Sequence, residues 1–192
     1  MTLVPHIPDW LANASFEELF LRSDPSRSLN EQGSETTIAA VAASPEVSPR
    51  LRVLAHELLI EAGRAPDPSL AEAYCRTLPD GFPHNAWGMP GHYTERLGKT
   101  FVAFGKVALP CLTALLEDGR PLGYFGSEEP TLNERMHYRV ADLAAYFASL
   151  ITGASYRDAP DAGTRDLFIQ HLRERLHRPA SVTQLGEENG HA

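Results

Sequence analysis

The chain has 192 residues, 43% of them hydrophobic, so it has enough apolar mass for the core of one domain and is not a disordered chain. Its 25 acidic against 17 basic side chains give a net charge of −8, which argues against a nucleic-acid binder that works by charge. No apolar run reaches a membrane span, MTLVPHIPDW lacks the form of a secretory signal, and two cysteines are too few for a disulfide scaffold. The reading is therefore a cytoplasmic protein with no membrane and no nucleic-acid partner. Fifteen arginines against two lysines fit a bacterial, high-GC source.

In chain order the signals are helical. Ser15-Phe16-Glu17-Glu18 has the form of a capping box, and residues 24–33 (DPSRSLNEQG) read as a polar loop. Ser34 can cap a short helix with Ile38, Val41 and Ala42 on its apolar face. Ser48-Pro49 predicts the next start, with Leu51, Leu54, Ala55, Leu58, Leu59 and Ala62 at helical spacing and Gly63 closing it. Asp67-Pro68 repeats that start before Leu70, Ala71, Tyr74 and Leu78. No segment alternates as a half-buried strand does, so no sheet is expected.

Residues 79–93 (PDGFPHNAWGMPGHY) are rich in proline, glycine and aromatics and exclude a regular element. Helix resumes with Phe101, Phe104, Gly105, Ala108, Leu112, Leu115 and Leu116 on one face. Pro110 inside that stretch predicts a kink, or two helices joined near Leu109. Residues 119–130 (GRPLGYFGSEEP) form a second irregular segment. Thr131 to Glu134 reads as a capping box that opens one helix carrying Val140, Leu143, Ala144, Phe147, Leu150 and Ile151. Leu167, Phe168, His171 and Leu172 mark a last amphipathic helix ending at Arg178-Pro179. One helical domain over residues 1–180 and a polar, frayed tail over 181–192 follow.

Residues 36–63, TTIAAVAASPEVSPRLRVLAHELLIEAG, resemble a HEAT-like repeat: a short helix, a proline-bearing turn and a second helix. Residues 105–118, GKVALPCLTALLED, resemble the first helix of another such repeat, and 139–151, RVADLAAYFASLI, its second. The resemblance implies stacked antiparallel helix pairs that supply a protein-binding surface. Residues 118–137 separate the helices of the second pair, where the family has a tight turn. The expected fold is therefore all-α, a compact bundle with HEAT-like character and two irregular segments, not a regular superhelix.

No chemical motif singles out a catalytic residue. No nucleophile elbow or phosphate-binding loop occurs, and Cys75 and Cys111 read as small packed hydrophobes. His84 and His92 lie eight apart in a loop, and no H-x-x-x-H pair occurs, so no metal and no cofactor is expected. His56 reads as a half-buried, hydrogen-bonded core histidine. Paired carboxylates such as Glu17-Glu18, Glu128-Glu129 and Glu187-Glu188 read as solvated.

The remaining candidates are Trp87, His92 and Tyr93 in the first irregular segment, Tyr124 in the second, and Tyr138 just after it, with Phe82, Asn85, Phe125 and His137 nearby. Aromatics with a polar handle anchor interfaces, but Phe82, Trp87 and Phe125 could equally plug the core. Two functions follow. One is a non-enzymatic HEAT-like adaptor or inhibitor that binds another protein, in a concrete version an immunity-type protein masking a basic partner. The other is a small-ligand binder or enzyme whose pocket walls are residues 79–93 and 119–138. A homodimer is a third, structural use of the helix faces.

Overall fold

The computed structural model describes residues 5–22 and 35–177. The expected 24–33 loop, the Ser34 cap, the helix end at Arg178-Pro179, the Glu187-Glu188 pair and the tail lie outside those residues. The fold is predominantly helical. After the short α1 (Asp9–Ala12), Ser15 and Glu18 close a reciprocal capping box, and the chain continues into a turn of π-helix at Glu18–Arg22. Next come α2 (Glu35–Ala43) and α3 (Pro49–Glu61), which pack against each other across a short turn. Ser48 caps α3 by accepting from the Leu51 N–H, with Pro49 in the first turn where its missing donor costs nothing.

Asp67 starts the next helical piece by accepting from the Ser69 N–H, and α4 (Ala71–Thr77) packs on α3. Two residues, Gly88–Met89 (β1), pair antiparallel with Tyr93–Thr94 (β2), correcting the expectation of no sheet. The reason is local: a tight turn over residues 90–92 brings the two dipeptides back into register, which a search for alternating runs cannot detect.

The next stretch has the expected junction of two helical pieces near Leu109, where a 3-10 turn over Gly105–Ala108 meets the following helix, and a sharper break before it that was not expected. Helix α5 (Arg96–Ala103) ends at Gly105, whose φ of +61° lets the chain turn, and the following helical piece is bent by 105° from it. Pro110 causes no kink because it falls in the first turn of α6 (Leu109–Leu115). The single helix expected from Thr131 to Ile151 is two: α7 (Glu129–Met136) and α8 (Val140–Thr152). His137 separates them at a left-handed φ of +52°, and Arg139 with Asp142 forms a capping box that restarts the helix.

In α9 (Ala162–His177) the buried side is Arg165, Ile169 and Leu172. Leu167 is exposed, and so is His171, because the anchored Arg165 sets the rotation of the helix. Among the described residues, no single helix is long and apolar enough to cross a membrane.

Tyr74, Trp87, Phe101, Phe104 and Phe147 meet in the centre at ring separations of 5.0–6.4 Å, mostly edge to face. Helix α5 crosses this cluster closely at Gly98: a Cβ there would stand 2.1 Å from the Trp87 carbonyl oxygen. Cys75 is buried and Cys111 half-buried, both as free thiols.

Candidate functional site

The two irregular segments lie side by side, tied by hydrogen bonds of three side chains, Asn85, His84 and Tyr124. The Asn85 side chain donates to the Phe125 carbonyl at 2.8 Å and accepts from its N–H at 3.0 Å. Nδ1 of His84 accepts from the Gly123 N–H at 2.9 Å, and burial pushes that imidazole below its ordinary range. The Tyr124 hydroxyl donates to the Gly88 carbonyl at 2.9 Å.

The sequence candidates do not gather at one site. Trp87 is fully buried and belongs to the core, as does Phe82. Tyr138 is also fully buried and donates to Asp158 Oδ1 at 2.7 Å, while the exposed His92 places Nε2 3.1 Å from Asp158 Oδ2. Tyr138 and His92 therefore converge on one carboxylate, which holds the β1–β2 turn against the loop before α9. Tyr124 is half-buried beside Gly88. Of the five, Tyr93 lines a cavity that the other four do not line. Among the described residues, no three His, Cys, Asp or Glu side chains cluster as a metal site would need.

That cavity is a cleft of about 830 Å3 between α3, α5, the Phe16–Leu21 stretch and both irregular segments. Phe16, Phe20, Tyr93 and Phe125 supply aromatic walls, and Glu57 lines its inner side. Glu57 lies on α3, one residue past His56, and is fully buried. A chain of hydrogen bonds holds it from behind. The Asp67 N–H can only donate, so Nε2 of His56, at 2.9 Å, accepts. The neutral ring then carries its proton on Nδ1, which donates to the Tyr74 hydroxyl at 2.8 Å, and that hydroxyl donates to Glu57 Oε1 at 2.6 Å. Burial keeps the ring neutral by lowering His56 to about 4.

Oε1 is thus occupied, whereas Oε2 is buried with no hydrogen-bond partner among the described residues. The nearest cation, Arg96, stands 3.7 Å from it but donates to Glu61 at 2.8 Å and lies over the Phe20 ring at 4.7 Å. Burial raises the Glu57 carboxyl above its ordinary range, against the opposing pull of Tyr74, Thr100 and Arg96. Because Oε1 accepts from Tyr74, a proton on Glu57 resides on Oε2. The neutral group can donate one hydrogen bond there, and the ionised group can accept one. Other buried side-chain atoms lack partners, among them His84 Nε2 and Trp87 Nε1, but their residues do not line the cleft.

Sequence reasoning missed Glu57. The available signal was its register: in PRLRVLAHELLIE it stands four residues after Val53 and three before Ile60, between two apolar positions of one helix face. No protein-family model, no curated protein and no solved structure matches the chain.

Proposed function

We propose that the chain is a binding protein whose ligand seats in the cleft between α3, α5 and the two irregular segments. The observation that supports this reading best is Glu57: a buried carboxyl lining an aromatic-walled cavity, with one oxygen held from behind and the other without a hydrogen bond, Arg96 standing 3.7 Å away. A fully buried unpartnered oxygen costs about 1–3 kcal/mol, more when charged, and a ligand that pairs with it recovers that cost. The volume falls in the range of small-molecule sites, roughly 300–1,000 Å3. A fragment screen by NMR on the full chain tests the reading. Ligands should shift the amides of Ala86, Tyr93, Thr100 and Phe125. Failure of any fragment to shift them would overturn it.

A second reading, an adaptor or inhibitor that grips a basic protein, draws on the HEAT-like resemblance, the net charge of −8 and two exposed apolar side chains at the cleft. Those are Leu21, 67% exposed, and Phe125, 53% exposed. On this reading the partner inserts a side chain into the same cleft. Association would then slow as salt rises, because exposed charges steer encounter and are screened over about 8 Å at physiological ionic strength.

A further inference from the structure

We infer that the cleft recognises an organic cation, a protonated amine or guanidinium on an apolar body, with the cationic group seated against the free Oε2 of Glu57. The inference rests on the cleft being a binding site and adds the chemistry of its ligand. Charge is the first support. Glu17, Glu95 and Glu129 surround the cleft in addition to Glu57, against Arg96 and Lys99. Both cations are already engaged within the protein, Arg96 with Glu61 at 2.8 Å and, at longer range, with Glu57 Oε2 itself at 3.7 Å, and Lys99 with Glu95 at 3.9 Å. The contact to Oε2 is too long for a hydrogen bond and leaves that oxygen's acceptor position open. Glu17 and Glu129 form no ion pair among the described residues, so the cleft keeps an excess of negative charge.

The walls are the second support. Aromatic faces attract cations through their quadrupoles, most strongly where water is excluded. The protein shows the same contact internally: the Arg96 guanidinium stacks over Phe20 and donates to a carboxylate on α3 at the same time. A ligand amine placed between Phe16, Tyr93 and Glu57 would repeat that arrangement. A cleft of about 830 Å3 is larger than an ammonium group needs, so the ligand must bring an apolar body to fill it.

Binding also moves a proton. The groups facing the Glu57 carboxyl are His56 and Glu61 from its own helix, Tyr74 from α4, and Arg96 and Thr100 from α5. A cation at Oε2 favours the ionised carboxylate over the acid that burial favours, so binding releases a proton from that oxygen to solvent.

The test is calorimetric titration of the full chain with phenethylamine, phenethyl alcohol and phenylacetate, which share a body and differ in charge. Phenethylamine should bind at least roughly tenfold more tightly than the other two, as a charge-assisted hydrogen bond requires. Its heat should change between buffers of unlike ionisation enthalpy, reporting proton release. Glu57→Gln should abolish both the preference and the buffer dependence, while Phe125→Ala should weaken all three probes alike. A blocked Phe-Arg dipeptide separates the sources of the cation: tighter binding than phenethylamine assigns it to a protein side chain, weaker binding to a free amine.

Equal affinity for the three probes, tighter binding of phenylacetate, or a preference that survives Glu57→Gln would overturn the inference and leave the cleft as a site for another ligand. If none of the probes binds or shifts the cleft amides, the inference fails. If the fragment screen shifts none of them either, the binding reading fails with it.

Discussion

Two buried carboxylates, Asp142 and Glu57, are both fully enclosed, but their surroundings differ. Asp142 is saturated. Its Oδ1 accepts from Arg139 at 3.0 Å and Arg165 at 3.1 Å, and its Oδ2 accepts from the Arg139 N–H at 2.8 Å and the Arg139 Nε at 3.0 Å. Arg165 spends its other donors on the carbonyls of His137, Ala159 and Pro160, tying α9 and the preceding loop to the start of α8. Glu57 is half-finished: one oxygen is held by Tyr74, and the other has no hydrogen bond and meets Arg96 only at 3.7 Å, in a residue that lines a cavity. Burial of charge alone thus does not mark a site. What marks it is a buried charge whose hydrogen-bonding the protein leaves incomplete where a ligand can enter.

The largest expected effect breaks the saturated cluster. Asp142→Ala leaves Arg165 buried without its counter-ion and should cost ~3–5 kcal/mol in urea unfolding. A loss below about 1 kcal/mol would mean that water reaches the guanidinium. Trp87→Ala should cost a similar ~3–5 kcal/mol through its cavity, because the ring is in the core and not at a partner surface. Normal stability with lost binding would reverse that placement.

The pH dependence of unfolding sharpens the comparison at Glu57 and His56. His56 is lowered to about 4 from an ordinary 6.5, so the unfolded chain takes up more protons as pH falls through that window. Stability should therefore be intact above about 6.5 and fall by as much as ~3 kcal/mol toward about 4. Glu57 has the opposite sign. Its folded value lies above 4.5, so stability is lost as pH rises from there through the folded value. Glu57→Gln should remove the alkaline-side loss and keep the acid-side one. Unfolding curves across the two ranges check both, and an unchanged alkaline limb in the variant would count against a raised Glu57. The smallest effect is Phe125→Ala, which should change stability by less than about 0.5 kcal/mol because the ring is half exposed at the cleft mouth. A loss above about 1 kcal/mol would make it part of the core.

Most helices were legible because their starts are local chemistry. Ser15 with Glu18, Ser48 with Pro49, and Asp67 each make the cap their residue type predicts. The break at Gly105 was not, since a proline at the first turn and a proline inside a helix look alike until the start is known. The restart at Val140 needed Arg139, whose guanidinium is no ordinary cap and works only through Asp142. The site was legible in its walls and not in its centre. Residues 79–93 and 119–138 contribute Tyr93 and Phe125 to the cleft, whereas Trp87, His92, Tyr124 and Tyr138 do not line it. Glu57 was passed over because its meaning depends on Tyr74, seventeen positions on, and on a cavity formed by four separate stretches of chain.

The most direct measurement is the titration of the Glu57 side-chain carboxyl, followed by carbon-13 NMR with and without phenethylamine. The account predicts a midpoint above the ordinary carboxylate range in the free protein and a downward move of about one unit or more when the amine is bound. An ordinary midpoint, or one that the amine leaves in place while it occupies the cleft, would contradict the claim that Glu57 is the unfinished half of a cation site.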